Sequence, residues 1–418
     1  PPRSTLFPYT TLFRSPTEIF RAAARTIIAT LDPTDGRTLG AALYEHGARR
    51  YLLAIGHHMA LDVLSMEVLR RSLVQYLRNR QATPEVHGVA TRALQMQALV
   101  ETGRFPTAED HAFWAAVCAA PQGLLVGVAP RDDDPSPTRG RDSFVTEIRG
   151  YRPEQTNSVL CDMLAALAAG LYRLGQREAI SVALESHGRD ERLPGMDLSG
   201  AMGWFTAICP LPLVPSRSCA EARRQLFPWL RDHFNPADCN AYVYLRDREP
   251  ERFERPTQIT FNYLGKHDSW KDSGVASLMT TAGPGMIPEL LDPANEPDSP
   301  VEITVFLDGE GTMQVGIYYN PRRLSEHWVR ALFDAWHAAI RTLPGFMPDE
   351  QRNALYAACG AESREIERIV LPDPSHEPIL YQSLLPGRKV YTQQIDLFLR
   401  GPIRSEEHTS ELQSLRHL

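Results

Sequence analysis

The sequence lacks the features that mark membrane-spanning, nucleic-acid-binding and metal-binding proteins. No apolar run approaches the roughly eighteen consecutive residues that a membrane-spanning helix needs, so we expect the chain not to cross a bilayer. Lysine and arginine are scattered and the formal net charge is -7, which argues against a nucleic-acid partner. No HxH or HExxH spacing occurs, so we expect no metal site.

Cysteine is sparse and widely spaced. The six cysteines form no CxxC pair, and no secretory signal is recognisable in the sequence. We therefore predict buried thiols in a reducing compartment, with the cytoplasm as the expected location. The six are Cys118, Cys161, Cys209, Cys219, Cys239 and Cys359.

The remaining composition is that of a globular protein, with 43% hydrophobic and 23% charged residues in a chain of 418. This length suffices for two or more domains with buried cores.

The two ends of the chain differ from the rest of the sequence: RSTLFPYTTLFRS at 3–15 and RSEEHTSELQS at 404–414 resemble translations of sequencing-adapter oligonucleotides. We expect residues 1–15 and 404–418 to be artefacts, and such segments are excluded from fold reasoning. The biological sequence is then expected at 16–403, cut at both ends.

The first half of the chain predicts one short strand followed by helices. Residues 51–55 form a wholly apolar run of strand length. Apolar residues at helical spacing predict a helix from Leu64 to Leu77, and a shared apolar face predicts another across 107–120. A segment rich in Pro, Asp and Arg at 129–141 indicates a lobe boundary or a long loop.

The second half predicts strands mixed with packed helices, which indicates an α/β or α+β fold. Its clearest signal is a β-hairpin, because apolar residues alternate over 301–307 and 313–319 around a Gly-containing loop. Ser325 is placed to cap a following helix that buries an apolar face. The other predicted elements are strands at 142–149 and 179–185 and a helix at 153–174.

A histidine pair, His57 and His58, stands where the first predicted strand gives way to a helix. The pKa of an ordinary histidine is about 6.5, which suits the side chain to moving protons at neutral pH. Taken alone, such a pair is more often structural than catalytic. The pair opens the string HHMALDVLS.

A second candidate, Glu185, is the last residue of the strand predicted at 179–185 and opens the string ESHGRD. A carboxyl group just beyond an apolar strand can be partly desolvated, and desolvation raises its pKa towards values useful for acid–base chemistry. The ordinary interpretation of such a glutamate is an exposed loop residue. Two further strings follow in the chain, GWFT at 203–206 and FNYLG at 261–265.

Together, these strings resemble the motifs of epimerization domains of nonribosomal peptide synthetases, which belong to the condensation-domain superfamily. HHMALDV is similar to the superfamily's HHxxxDG, ESHGRD to EGHGRE, and FNYLG is identical to the family's block. The resemblance covers about 16–345. It implies that His58 and Glu185 are catalytic. It also implies five supporting residues: His57, Asp62, Trp204, Asn262 and Tyr263. Of these, Asp62 is expected to hold the local fold through an ion pair.

Two departures from the family pattern stand close to the histidines. Val63 replaces the usual Gly, and Met66 stands where epimerization domains commonly have Trp. A β-branched side chain does not easily take a positive φ. Two alternatives therefore stay open: an amide-bond-forming condensation domain built on His58, which needs no Glu185, and a catalytically degenerate docking module of the same fold.

The resemblance implies an α/β, chloramphenicol-acetyltransferase-like fold with two αβ lobes in a V and a tunnel between them. The first lobe is expected at 16–141, incomplete, and the second at 142–350. A linker is expected at 351–370. Residues 371–403 resemble the opening of a condensation domain, through LPDPSHEPILYQS, VY and LRGP.

The implied activity is L-to-D epimerization of an aminoacyl or peptidyl thioester, without metal or redox cofactor. The substrate is expected on the phosphopantetheine of a peptidyl carrier domain upstream, with a condensation domain downstream. Because its first lobe is incomplete, we expect this chain as written to be poorly stable and inactive.

Overall fold

The structure, a computed structural model, describes most of the chain up to residue 354. The described residues are 16–46, 49–79, 88–128, 141–151, 159–189, 197–266, 298–307, 312–348, 350–351 and 353–354. A first compact unit extends from Pro1 to Arg352, and the elements described below lie within it. The adapter-like ends, the segment 129–140, the segment 371–403 and most of the 351–370 linker lie outside the described residues.

Nine α-helices and eight strands are formed by the described residues. The helices are α1 (Pro16–Ile28), α2 (Val63–Asn79), α3 (Val89–Glu101), α4 (Ala108–Ala119), α5 (Val159–Arg173), α6 (Cys219–His233), α7 (Pro236–Arg248), α8 (Pro250–Phe253) and α9 (Glu326–Ile340). The strands are β1 (Leu39–His46), β2 (Arg49–Gly56), β3 (Asp142–Ile148), β4 (Ile180–Ser186), β5 (Ala207–Leu213), β6 (Ile259–Lys266), β7 (Val301–Leu307) and β8 (Met313–Tyr319).

Six of the strands form one mixed sheet in the order β3-β8-β7-β6-β4-β5. Strands β4, β6 and β7 run parallel to one another, and the remaining pairs are antiparallel. Parallel neighbours end at the same edge of a sheet, so residues near the carboxyl ends of β4 and β6 come together. The register pairs Leu184 with Phe261, which places Glu185 beside Asn262.

The predicted hairpin and the predicted final helix are confirmed. Strands β7 and β8 pair antiparallel from Val301 opposite Tyr319 to Leu307 opposite Met313, and every second residue of β7 is buried. The hydroxyl of Ser325 caps α9 by accepting a hydrogen bond from the Trp328 N–H at 3.2 Å. The face of α9 that was predicted to be buried is buried: Val329, Leu332, Trp336 and Ile340.

Helices α5 and α9 pack closely together against the sheet. At Gly170, an added Cβ would lie 2.9 Å from the backbone nitrogen of Trp336, so only glycine permits this approach. The indole N–H of Trp336 donates to the Met163 carbonyl at 3.0 Å, and its ring meets Phe261 of β6 edge-on. The sequence predicts this helix at 153–174, and the described residues show it at Val159–Arg173.

A smaller, two-stranded sheet leads to the histidine pair. Strands β1 and β2 pair antiparallel, and α1 covers one face through a small core of Ala24, Ile27, Leu53 and Ile55. The strand predicted at 51–55 and the helix predicted at 64–77 are confirmed as β2 and α2. None of the described helices is both long and apolar enough to span a membrane.

Helix α4 confirms the prediction at 107–120 and packs into the core of the six-stranded sheet. Trp114 is fully buried there, and its indole N–H donates to the carbonyl of Asp238 on α7 at 3.0 Å. The lobe boundary at 141 stays a prediction. Helix α4 precedes that boundary in the chain, yet it packs into the core of the sheet that follows it. Five cysteines lie within the described residues, and all are buried free thiols as predicted, whereas Cys359 lies outside them.

Candidate active site

His58 lies in the tight turn between β2 and α2. The Ala60 N–H donates to the His57 carbonyl at 2.9 Å, which closes the turn. The Nδ1 atom of His58 lies 2.9 Å from the Leu61 carbonyl oxygen. A carbonyl oxygen can only accept, so Nδ1 carries the proton and Nε2 is left as the basic nitrogen. Because the His58 side chain is exposed, this basic nitrogen is accessible to a reacting group.

His57 points into its own turn. Its Nδ1 atom accepts a hydrogen bond from the Met59 N–H at 3.2 Å, and its backbone N–H donates to the Thr38 carbonyl at 2.7 Å. The first bond lies within the turn, and the second ties the turn to the stretch that precedes β1. His57 therefore shapes the segment that carries His58.

Asp62 directly precedes α2 and is buried, with 2% of the residue exposed. Its carboxylate accepts two hydrogen bonds from the Arg189 guanidinium, at 2.7 and 2.9 Å, and one from the Ser65 N–H at 2.8 Å. Burial alone would raise the pKa of Asp62, but the bonds from Arg189 and Ser65 outweigh it and lower the pKa. The acid is therefore a fixed anion that pairs with Arg189 across the site.

Arg189 is a site residue that was not predicted from the sequence, although it belongs to the ESHGRD string. Besides Asp62, it donates to the Ala201 carbonyl at 3.1 Å, and its guanidinium carbon lies 4.5 Å from the centre of the Phe205 ring. It therefore joins the HHMALDV, ESHGRD and GWFT strings. A buried aspartate needs a cationic partner, and Arg189 is the arginine of the ESHGRD string, which is the signal that could have found it.

Glu185 lies next to the end of β4 and is half-buried. Burial raises the pKa of its carboxyl group, and this effect is only partly offset by the nearby His58 ring and by a hydrogen bond from Asn262. That bond runs from the Asn262 side-chain amide to Oε2 of Glu185. The structure thus brings His58, Glu185 and Asn262 together from three separate strings.

Trp204 lies against His58. The two rings meet edge to face, with centroids 4.7 Å apart and planes at 69°. The indole is 41% exposed, so it forms part of the accessible surface beside the histidine. A ring in this position limits how far the imidazole can turn.

Tyr263 is not brought to this pair. Successive residues of a strand point to opposite faces, so Tyr263 lies on the face away from Asn262, where it packs against the main core. Burial raises the pKa of its hydroxyl group to about 12, and within the described residues this hydroxyl has no hydrogen-bond partner. Its supporting role stays a prediction.

Val63 is the first residue of α2. The right-handed helical region has a negative φ that valine adopts readily, so this position does not require a positive φ. Its side chain is 42% exposed, next to the buried Asp62. The replacement of the family's glycine therefore leaves the backbone of the histidine segment intact.

The arrangement offers two proton carriers of different chemistry. His58 presents a basic nitrogen, and Glu185 presents a carboxyl group with a raised pKa. Two neighbouring titratable groups of this kind can act as acid and base on one substrate atom.

Comparison with known proteins identifies the family and gives relatives. The family model described as Condensation domain matches residues 13–343. One of the linear gramicidin synthase polypeptides of Brevibacillus parabrevis is 26% identical over 272 residues, which are 59% of this chain and 3% of that polypeptide. Chondramide synthase cmdD from Chondromyces crocatus is 28% identical over 306 residues, which are 67% of this chain and 7% of that protein. The chain thus spans only a few per cent of the length of these relatives.

Solved structures show the fold. The epimerization domain from the third module of tyrocidine synthetase B, TycB3(E), superposes with a TM-score of 0.62 at 19% identity, over 78% of this chain and 76% of that one. The condensation domain of the Monacolin K polyketide synthase MokA superposes with a TM-score of 0.54 at 16% identity, over 76% and 75%. The predicted chloramphenicol-acetyltransferase-like α/β fold is confirmed.

Proposed function

Because the chain belongs to the condensation-domain family, we propose that its His58–Glu185 pair epimerizes an aminoacyl or peptidyl thioester on a carrier protein in nonribosomal peptide synthesis. The main support for this proposal is the environment of the Glu185 carboxyl group. The group is half-buried and has a raised pKa, and it lies near enough to His58 for the histidine to influence that pKa. An amide-forming reaction built on His58 needs no such second group.

The chemistry requires two groups on opposite sides of one carbon. One member of the pair takes the Cα proton, and the electrons of the broken C–H bond move onto the thioester carbonyl as an enolate. The other member then gives a proton to the opposite face, and the carbonyl re-forms. The reverse reaction exchanges the two roles, so both L and D residues are substrates.

The thioester itself makes this step accessible. It acidifies Cα, and a nearby hydrogen-bond donor stabilises the developing enolate oxygen. The proposal includes no metal, because the thioester already acidifies Cα, and no redox cofactor, because no net oxidation occurs. In this proposal the substrate arrives on the phosphopantetheine arm of a carrier domain that precedes these residues, and a condensation domain follows them.

Amide-bond formation is the second candidate, since the matching family model is that of condensation domains. Two observations favour epimerization over it. The Asn262 bond holds Glu185 beside His58, and one of the similar solved structures is itself an epimerization domain. A docking module without catalysis is disfavoured because Val63 fits its helical position without backbone distortion.

A chirality assay tests the proposal. The full-length protein is mixed with a carrier domain loaded separately with L-phenylalanyl, L-leucyl and L-valyl groups and the matching D forms. After thioester hydrolysis, the enantiomers are separated by chiral chromatography. Epimerization predicts that the L- and D-loaded samples of at least one amino acid converge on the same mixture. If every sample keeps its configuration while an added acceptor amine is acylated, the activity is amide formation.

A further inference from the structure

The loop that follows Glu185 is held in one conformation by its glycine. Gly188 has φ +63°, a left-handed conformation that L side chains rarely adopt. An added Cβ would lie 1.6 Å from the Phe205 carbonyl oxygen, which is well inside the van der Waals distance. The loop therefore lies directly against the chain that carries Trp204.

The carbonyl of Gly188 is bound from two helices at once. The side-chain amide of Asn240 on α7 donates to it at 3.0 Å, and Nη2 of Arg92 on α3 lies 3.4 Å from it. The same Nη2 donates to Oδ1 of Asn240 at 2.9 Å, which closes a triangle. A carbonyl oxygen accepts two hydrogen bonds, so the arrangement satisfies it fully. Asn240 is 8% exposed and is therefore shielded from water.

This carbonyl is connected to both groups of the proposed acid–base pair, His58 and Glu185. Glu185 precedes Gly188 by three residues, and Arg189 follows it directly. Arg189 binds Asp62, which follows the turn that holds His58 and directly precedes α2. A displacement of Gly188 therefore moves both halves of the site.

We infer that Asn240 and Arg92 are positioning residues that set the placement of His58 relative to Glu185 through the Gly188 carbonyl. This inference rests on the proposed function, because that reaction needs both groups aimed at one carbon. A misplacement of about 1 Å at a catalytic group can cost on the order of a hundredfold in rate. Substrate binding does not depend on the orientation of these two groups, so their misplacement should lower kcat and leave KM nearly unchanged.

Asn240→Ala removes the amide donor and is expected to lower kcat for epimerization about 10- to 100-fold, with KM for the aminoacyl carrier within about twofold of the wild-type value. Asn240→Asp keeps the size and the acceptor for Arg92, but a carboxylate cannot donate to a carbonyl. We therefore expect it to be at least as slow as the alanine variant. Wild-type kcat in Asn240→Asp would overturn the inference.

The matched control is Tyr242→Phe on the same helix. Its hydroxyl donates to the Phe253 carbonyl at 3.0 Å, and the residue is 4% exposed. The variant thus loses a buried side-chain to backbone bond that does not involve Gly188. We expect its kcat to stay within about twofold of the wild-type value. An equal loss of kcat in Tyr242→Phe and Asn240→Ala would show a purely structural role and overturn the inference.

Backbone amide exchange in the full chain gives a readout that does not depend on activity. The Gly203 N–H donates to the Ser65 hydroxyl at 2.9 Å, and the Phe205 N–H donates to Oδ2 of Asp62 at 3.2 Å. Both should exchange about tenfold faster in Asn240→Ala and at the wild-type rate in Tyr242→Phe. Unchanged exchange in Asn240→Ala would overturn the positioning role. If the variant responds but the wild-type protein epimerizes nothing, the positioning stands and the proposed function fails.

Discussion

Asp62 and Arg189 are 127 positions apart in the sequence, yet their side chains form a buried pair with two short hydrogen bonds. This pair fixes the histidine segment against the segment that follows Glu185. The chemistry is then left to two side chains that the pair does not include, His58 and Glu185.

Removing either reacting group should slow epimerization without unfolding the protein. We expect His58→Ala and Glu185→Gln each to lower kcat about 10²- to 10⁴-fold, the usual cost of losing a positioned acid or base. Steady-state kinetics with an aminoacyl carrier measures this loss. Glu326→Gln, an exposed change on α9, is the control and should be neutral. Near-normal turnover in Glu185→Gln would remove its catalytic role.

The hydrogen bond from Asn262 to Glu185 should affect the pH at which kcat/KM falls in acid. Burial raises the pKa of Glu185 and the bond from Asn262 lowers it, so Asn262→Ala should raise that pKa further. The acid limb of the kcat/KM profile, where the carboxylate becomes protonated, should therefore move to higher pH. Thr260→Val, two residues earlier on β6, should leave the limb in place. A shift to lower pH in Asn262→Ala would contradict the assignment.

Asp62→Asn should destabilise the fold in a pH-dependent way. The pKa of Asp62 in the folded chain lies below its unfolded value of about 3.9, so its stabilisation is complete above that pH and is lost as pH falls towards the folded pKa. Leaving Arg189 buried without its anion should lower the free energy of unfolding at pH 7 by about 3 kcal/mol.

Urea unfolding of wild-type and variant protein measures this difference, which should shrink as the pH is lowered from 5 to 3. Asp232→Asn, which breaks an exposed ion pair with Arg231, should leave the unfolding midpoint unchanged. A difference that does not depend on pH would mean that Asp62 is not a fixed anion.

At the scale of elements, the loop after β4 depends on a single glycine. Gly188→Ala combines a positive φ with a clash against the Phe205 carbonyl, so we expect a loss of about 3 kcal/mol or more in the free energy of unfolding. Gly175→Ala is the matched control, since Gly175 has φ +95° with open space around it. It should cost about 1 kcal/mol. Equal losses in the two variants would show that the loop is not pressed against Phe205.

Elements with a strong local pattern could be predicted from the sequence, and the others could not. The β7–β8 hairpin and α9 carry clear periodicity and a capping serine, and both are confirmed. Strand β5 has two prolines, which normally argue against a strand. It is the last strand in the sheet order, so Pro210 and Pro212 sit where a missing N–H is tolerated.

The residues of the site also divide into those that could be predicted from the sequence and those that could not. His58 and Glu185 stand in strings with a recognisable pattern, and the structure brings both to one place. Asn240 lies on α7 within no such string, and its contact with Gly188 joins residues 52 positions apart. Such a contact depends on tertiary packing, which periodicity and motifs do not encode.

For the whole molecule, the two sheets differ in how much they bury. Among the described residues, the core of the smaller sheet has four buried members, including Ile27 and Leu53, whereas the six-stranded sheet shares one large core with α4, α5 and α9. Regions with few buried apolar contacts open first. Hydrogen exchange should therefore be faster for β1 and β2 than for β4 and β6. Equal protection of both sheets would contradict this picture.

The central claim is that the His58–Glu185 pair moves the Cα proton of a carrier-bound residue. The most direct measurement is solvent deuterium exchange, read by mass spectrometry of the released aminoacyl group after incubation in D₂O. We predict one deuterium at Cα with wild-type protein and a loss of this exchange in both His58→Ala and Glu185→Gln. Carrier-loaded wild-type protein that forms an amide and exchanges no Cα hydrogen would contradict this claim.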